Sequence, residues 1–283
     1  MLRKLLADAF RSRPQREKPP ATSAVGNAST QDAEFERVMQ TLDRAQAASD
    51  LGLHRQILFG DIKLGSNDML GLMDRCLADS RTGMRPGKAI HRYEKSYTLS
   101  RYVLHTIEVA GGRAECGVFT GFVSLLSCRL LAQSWPSWRG DGYHLVDSFE
   151  GLSRPVEQDV LASGSGRTVF SAGDMAAPIE YARHAMRDFP DVSIHRGWIP
   201  AVLAELPETT WAFVHVDVDL YEPTKACLEY FVPRVSPGGV LICDDYGSLA
   251  FPGAVRAWDE YFAPRKLPFI SLSTGQSVYI REK

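Results

Sequence analysis

The sequence predicts an α/β fold: a doubly wound, mostly parallel sheet closed by a C-terminal antiparallel hairpin and preceded by a helical N-terminal cap. Three observations carry this expectation. After Gly112, short apolar runs alternate with stretches of helical periodicity, the pattern of a parallel sheet covered on both faces. Several of those runs close on an acidic residue, which places polar groups at the carboxyl ends of the strands, where open α/β sheets bind ligands. Near the end, Phe269–Ser273 and Ser277–Arg281 flank a Thr274-Gly275-Gln276 turn, a hairpin signal.

In chain order, residues 1–30 read as a flexible basic tail, because 11–30 are rich in Pro, Ser, Ala and charge. The opening M-L-R-K-L-L-A-D-A-F-R-S-R-P lacks the apolar stretch of a signal peptide. It reads either as a frayed tail or as a short amphipathic helix. Residues 31–110 form the expected cap. Phe35, Val38, Met39, Leu42 and Ala45 recur at helical spacing over 31–48. A second helix is expected over Asn67–Asp79, and a third over Lys95–Val109, ended by Gly111-Gly112. His91, Arg92 and Tyr93, just before that third helix, are candidates to close over a site.

Residues 111–283 form the main domain. Its expected strands are Arg113–Val118, Tyr143–Asp147, Val192–His195, Trp211–Asp217 and Gly239–Asp244. Its expected helices are Gly121–Ala132, Ala176–Phe189, Pro223–Phe231 and Gly253–Phe262.

Composition narrows the function classes. A net charge of -2 gives no pull toward nucleic acid or anionic membrane, so a neutral or weakly anionic small molecule suits better. No apolar run approaches the roughly 20 residues that span a bilayer, which argues against stable membrane insertion. The five cysteines (Cys76, Cys116, Cys128, Cys227 and Cys243) are odd in number and contain no C-x-x-C pair. Plain buried thiols in a reducing, cytoplasmic setting are expected. An exposed helical cap also offers a surface for homodimerisation.

The first strand runs into Glu115-Cys116-Gly117-Val118-Phe119-Thr120-Gly121, an E-x-G-x-x-x-G pattern. Its glycines permit a sharp turn into a helix and close approach of a ligand. The dinucleotide pattern G-x-G-x-x-G is absent, which argues against a nucleotide-dependent oxidoreductase. A carboxylate opening the loop suits S-adenosylmethionine (SAM), whose methionine half carries an ammonium. The second strand ends at Asp147, followed by Ser148. A carboxylate there can accept both hydrogen bonds of a ribose diol. Trp198, after the third strand, either stacks on an adenine or fills core. His195 and His215, inside strand-like runs, read as packed histidines more readily than as catalysts.

The most informative stretch is Phe213-Val214-His215-Val216-Asp217-Val218-Asp219-Leu220-Tyr221. The next strand ends in Asp244-Asp245-Tyr246, 27 residues after Asp217, a spacing that suits strand, crossover helix and return strand. Adjacent strand tips lie about 4.8 Å apart, so Asp217, Asp244 and Asp245 should converge. Packed carboxylates raise one another's pKa unless a cation sits among them. All-oxygen ligation selects a hard divalent ion, Mg²⁺ first, with Mn²⁺ or Ca²⁺ as alternatives. Asp219 is then free to act as general base.

Four motifs together resemble the macrocin O-methyltransferase family of Mg²⁺- and SAM-dependent sugar methyltransferases. They are A-E-C-G-V-F-T-G, V-D-S-F-E-G, V-D-V-D-L-Y-E-P-T and S-P-G-G-V-L-I-C-D-D-Y-G followed by P-G-A. The resemblance implies a class I SAM methyltransferase fold, with metal ligands at Asp217, Asp244 and Asp245. It implies Asp219 as base, with Asp217 the alternative, and SAM contacts at Glu115, Gly117 and Asp147. Gly121, Ser148 and Trp198 complete the expected cofactor set. The D…D-D spacing is also similar to that of catechol-type methyltransferases, so a vicinal diol is the nearest rival to a sugar or glycan hydroxyl as acceptor. A non-catalytic SAM-binding module is a further rival, which has no need of four clustered acidic groups. The chain departs from the family at Phe122, where a second Gly is usual, and at Val218, where Asp-Gly-Asp is usual.

Overall fold

The computed structural model describes residues 63–64, 67–82, 89–161 and 168–282. The expected tail and the expected helix over 31–48 lie outside the described residues. Strands β1 (Lys63–Leu64) and β2 (Asn67–Asp68) pair as a minimal antiparallel hairpin. Helix α1 therefore starts at Met69 and runs to Asp79. Its buried residues Met69, Leu72, Met73, Cys76 and Leu77 fall at i, i+3, i+4, i+7 and i+8, a single apolar stripe.

Helix α2 (Ala89–His105) begins six residues earlier than the sequence suggests. Its opening residues are polar and carry no apolar period, but Ser96, Leu99, Ser100 and Val103 make a buried inner face. His91, Arg92 and Tyr93 thus lie inside α2 rather than before it. Both cap helices pack on α3 (Phe122–Ser134), which is buried along nearly its whole circumference. Such a helix lies between two layers, here the cap and the sheet.

The sheet comprises β3 (Gly112–Cys116), β4 (Tyr143–Asp147), β5 (Ser193–Arg196), β6 (Trp211–Val216), β7 (Val235–Cys243), β8 (Ile270–Ser271) and β9 (Ser277–Ile280). Their order is β5-β4-β3-β6-β7-β9-β8. The first five are parallel, and β9 joins β7 antiparallel as the terminal hairpin predicts. Helices α4 (Ile179–Ala185), α5 (Tyr221–Phe231) and α6 (Pro252–Arg265) complete the two outer layers.

Side chains alternate between two cores. Tyr143, Leu145, Phe213, Val240 and Ile242 join the cap, α3 and α4 on one face. Ala114, Cys116, Val214, Val216, Leu241 and Cys243 meet α5 and α6 on the other. All five cysteines are free and buried, as expected. Among the described residues, no helix is long and apolar enough to cross a membrane.

Two further elements differ from expectation for local reasons. Strand β7 starts at Val235, although Ser236-Pro237-Gly238-Gly239 reads as a turn. The strand absorbs it by a register jump opposite Trp211–Phe213, with Gly238 at φ +78°. The helix expected over 176–189 is regular only from Ile179, directly after Pro178, and tightens into a 3₁₀ turn at Met186–Asp188.

Candidate active site

The chain builds β3, β4 and β5 outward in one direction, then returns to place β6 on the other side of β3. The switch point lies between β3 and β6. Their tips are in register at Cys116 and Val216. Beyond them, Asp217 N–H donates to Cys116 O at 2.8 Å, and Asp244 N–H donates to Val216 O at 2.9 Å. Gly117, at φ +88°, sits so close to Asp217 that a Cβ would lie 1.8 Å from its carbonyl oxygen. Glycine is required there by the meeting of two strand tips.

A cavity of about 390 Å³ opens at this point. Its wall includes Glu115, Gly117, Asp147, Ser148, Trp198, Asp217, Asp219 and Asp244, and Thr82, Arg92 and Lys95 from the cap side. Gly121 and Asp245 stand behind the wall. Gly121, at φ +85°, packs on α4, where a Cβ would come 3.1 Å from Ala185 Cβ.

Asp147 organises the loops on the β4 side. One carboxylate oxygen accepts the N–H groups of Val118 at 2.6 Å and Phe119 at 2.9 Å, and the other accepts Phe149 N–H at 2.7 Å. Ser148 closes the next turn, its hydroxyl donating to Gly151 O and accepting Glu150 N–H, each at 3.1 Å. Trp198 is 41% exposed within the cavity wall, so its ring faces open space and not core.

Across the switch point a charged row crosses three strands on one face. Glu115 and His215 are register partners on β3 and β6. His215 Nδ1 lies 3.9 Å from Glu115 Oε1, and its Nε2 lies 3.6 Å from Asp244 Oδ1. Burial opposes a charge on this imidazole, but the Asp244 and Glu115 carboxylates outweigh it and raise its pKa to about 10. Glu115 also accepts the Ser124 hydroxyl at 2.7 Å.

Asp217, Asp219 and Asp245 bring one ligand atom each within 4.8 Å of one another, and so do His215, Asp217 and Asp244. Burial, and then the Asp244 charge, push Asp217 up to about 6. Burial and the Asp217 charge raise Asp219 well above the usual carboxylate range, and Asp245 rises through burial and the Asp219 charge. Burial acts the same way on Asp244, but His215 and Lys95 hold it well below that range. Asp245 is 5% exposed, and its Oδ2 has no hydrogen-bond partner. An orphaned buried carboxylate oxygen beside two other acidic groups fits a hard cation. Asp219 adopts φ +62°, a conformation that Asp tolerates better than most residues and that recurs at functional sites.

Lys95 and Gln276 join this site without having been singled out in the sequence. Lys95 Nζ donates to Asp244 Oδ2 at 2.6 Å and to its main-chain oxygen at 2.7 Å. Gln276, fully buried in the hairpin turn, donates to Asp244 Oδ1 at 2.8 Å. Lys95 had a usable signal: it stands four and eight residues before buried Leu99 and Val103, on the inner stripe of α2. Gln276 had none.

The other candidates divide. Arg92 lines the cavity, its guanidinium 5.9 Å from the Phe122 ring. The Tyr93 hydroxyl donates to Asp74 on α1, and the side chain of His91 lies outside the described residues. His195 pairs with His144 at 3.1 Å. Burial lowers both, His144 to about 4.

The family model described as Macrocin-O-methyltransferase (TylF) matches residues 95–280. The chain is 32% identical over 153 residues to 8-demethyl-8-(2,3-dimethoxy-alpha-L-rhamnosyl)-tetracenomycin-C 4'-O-methyltransferase of Streptomyces olivaceus, covering 52% of this chain and 58% of that protein. It is 31% identical over 160 residues to demethyldecarbamoylnovobiocin O-methyltransferase of Streptomyces niveus, covering 55% and 59%. The chain thus spans less than two thirds of either curated relative. The solved structure of the O-methyltransferase NovP aligns with a TM-score of 0.53 at 26% identity, over 69% of this chain and 81% of that one. With a seven-stranded sheet of this order and a match over most of its length, the chain belongs to the macrocin O-methyltransferase family and has the class I SAM-dependent methyltransferase fold.

Proposed function

We propose that the protein transfers a methyl group from SAM to a hydroxyl of a sugar, in a natural-product glycoside or a bacterial glycan, with Mg²⁺ or Mn²⁺ at the carboxylate cluster. The observation that carries this reading is the acidic cluster at the switch point, where the buried Oδ2 of Asp245 has no hydrogen-bond partner beside the half-buried Asp217 and Asp219. The names of the two Streptomyces relatives support an acceptor among natural products, and the first of them names a rhamnosyl group.

Asp217, Asp244 and Asp245 would hold the cation, which when bound acts as a Lewis acid on an acceptor hydroxyl. Asp219 would take the hydroxyl proton as the oxygen gains its methyl group, with Asp217 the alternative base. Asp147 and Ser148 would meet the ribose, and Trp198 the adenine. Glu115, Gly117 and Gly121 would shape the methionine end, with the Glu115 charge balanced by His215. Held this way, donor and acceptor face each other in a half-enclosed cavity, and orientation alone can supply about 7–11 kcal/mol of barrier reduction.

Isothermal titration with S-adenosylhomocysteine, with NAD⁺ as control, tests the cofactor half. Micromolar binding of the former alone is expected. Binding of NAD⁺ alone would overturn the assignments of Glu115 and Asp147.

A further inference from the structure

We infer that Lys95 is a tethered counter-ion of the carboxylate cluster, which a divalent cation must displace from Asp244, so that occupation of the cluster is coupled to helix α2. The inference rests on the reading that the cluster holds such a cation.

Lys95 reaches from α2 to the tip of β7. Its ammonium donates both to Asp244 Oδ2, at 2.6 Å, and to Asp244 O, at 2.7 Å. The other carboxylate oxygen is held by Gln276 Nε2 at 2.8 Å, and Gln276 also donates to the main-chain oxygen of Lys95 at 3.4 Å. Lys95, Asp244 and Gln276 therefore close a triangle between the cap, β7 and the turn before β9. Both side chains of the ion pair are largely buried, 18% and 16% exposed, so the contact is little screened by solvent.

Asp217, Asp219 and Asp245 converge beside this triangle, and the buried Oδ2 of Asp245 has no hydrogen-bond partner. A divalent ion arriving there would meet an ammonium already seated on Asp244. Two cations sharing one carboxylate repel strongly at low dielectric. The ion can take Asp244 as a ligand only as Lys95 withdraws, and Lys95 can withdraw only by its side chain swinging away or by α2 shifting. Lys95 thus lowers the affinity of the cluster for a cation and stabilises Asp244 before one binds. Nothing in this argument requires Lys95 to touch the reacting atoms, and it is a positioning residue.

The test is Mn²⁺ binding to the full chain, followed by titration calorimetry, for wild type, Lys95→Met and Lys95→Arg. Lys95→Met should bind Mn²⁺ at least about tenfold more tightly than wild type, and Lys95→Arg should stay within about threefold. Unchanged or weaker binding by Lys95→Met, with wild type still binding, would overturn the inference and leave the metal reading intact. Absence of Mn²⁺ binding by all three would overturn the metal reading, and this inference with it. Should Lys95→Met fail to fold, hydrogen exchange of wild type decides. Saturating Mn²⁺ should speed amide exchange in α2 around Lys95, and unchanged exchange contradicts the coupling.

Discussion

The Asp147 carboxylate accepts the main-chain N–H of Phe119 at 2.9 Å, across the gap between the loops that follow β4 and β3. It also holds Phe149 N–H at 2.7 Å. Phe119 and Phe149 both adopt left-handed backbone, at φ +53° and +59°. Such conformations cost about 1–3 kcal/mol each for non-glycine residues and persist only where the surroundings over-determine them. A single side chain therefore fixes two strained loop tips that form part of the cavity rim.

Replacing Asp147 by Ala should act twice. Losing its hydrogen bonds should lower stability by about 1–3 kcal/mol even without ligand, because three main-chain donors, two of them part-buried, lose their acceptor. Affinity for S-adenosylhomocysteine should also fall, by about tenfold or more, from lost ribose contacts and slackened loops. Urea unfolding and calorimetry on one preparation separate the effects. Lower stability with unchanged affinity would remove Asp147 from the cofactor site.

His215 gives a pH signature. Its folded pKa, raised to about 10, exceeds the ordinary histidine value of 6.5. Its contribution to stability is fully present below about pH 6.5 and is lost as pH rises toward 10. His215→Gln, unfolded in EDTA, should be destabilised by about 3–5 kcal/mol at pH 6, since Glu115 and Asp244 lose the charge between them. The deficit should shrink at pH 9.5. An equal deficit at both pH values would mean that the imidazole is neutral in the fold.

Trp198 separates binding from folding. Its ring is exposed in the cavity wall, so Trp198→Ala should leave the ligand-free melting temperature nearly unchanged. Loss of a stacked adenine should weaken S-adenosylhomocysteine by about 0.5–1.5 kcal/mol. A large fall in melting temperature with unaltered affinity would assign the ring to packing.

These residues also mark how far the sequence can be read. The strand tips were legible because Asp147, Asp217 and Asp244 each interrupt an apolar run, and a parallel sheet aligns such interruptions. The glycines were legible as positions of need, although the need at Gly117 comes from the Asp217 carbonyl and at Gly121 from α4. The pairing of Asp244 was not legible. Lys95 lies 149 residues away and Gln276 lies 32 away, and only tertiary packing brings them to one carboxylate. His215 was ambiguous because its role depends on register with Glu115 across β3 and β6. The start of β7 was hidden because Ser-Pro-Gly-Gly carries turn chemistry that a register jump can absorb.

The most direct measurement is transfer of a labelled methyl group from SAM to a panel of sugar-bearing acceptors, run with Mg²⁺ and with EDTA, for wild type and Asp244→Ala. Wild type should methylate a sugar hydroxyl with Mg²⁺, lose at least about a hundredfold in EDTA, and recover when Mg²⁺ is restored in excess. Asp244→Ala should be inactive in both conditions while S-adenosylhomocysteine affinity stays within a few-fold. Undiminished transfer in EDTA, or an Asp244→Ala variant as active as wild type, would contradict a metal-assisted mechanism at this cluster.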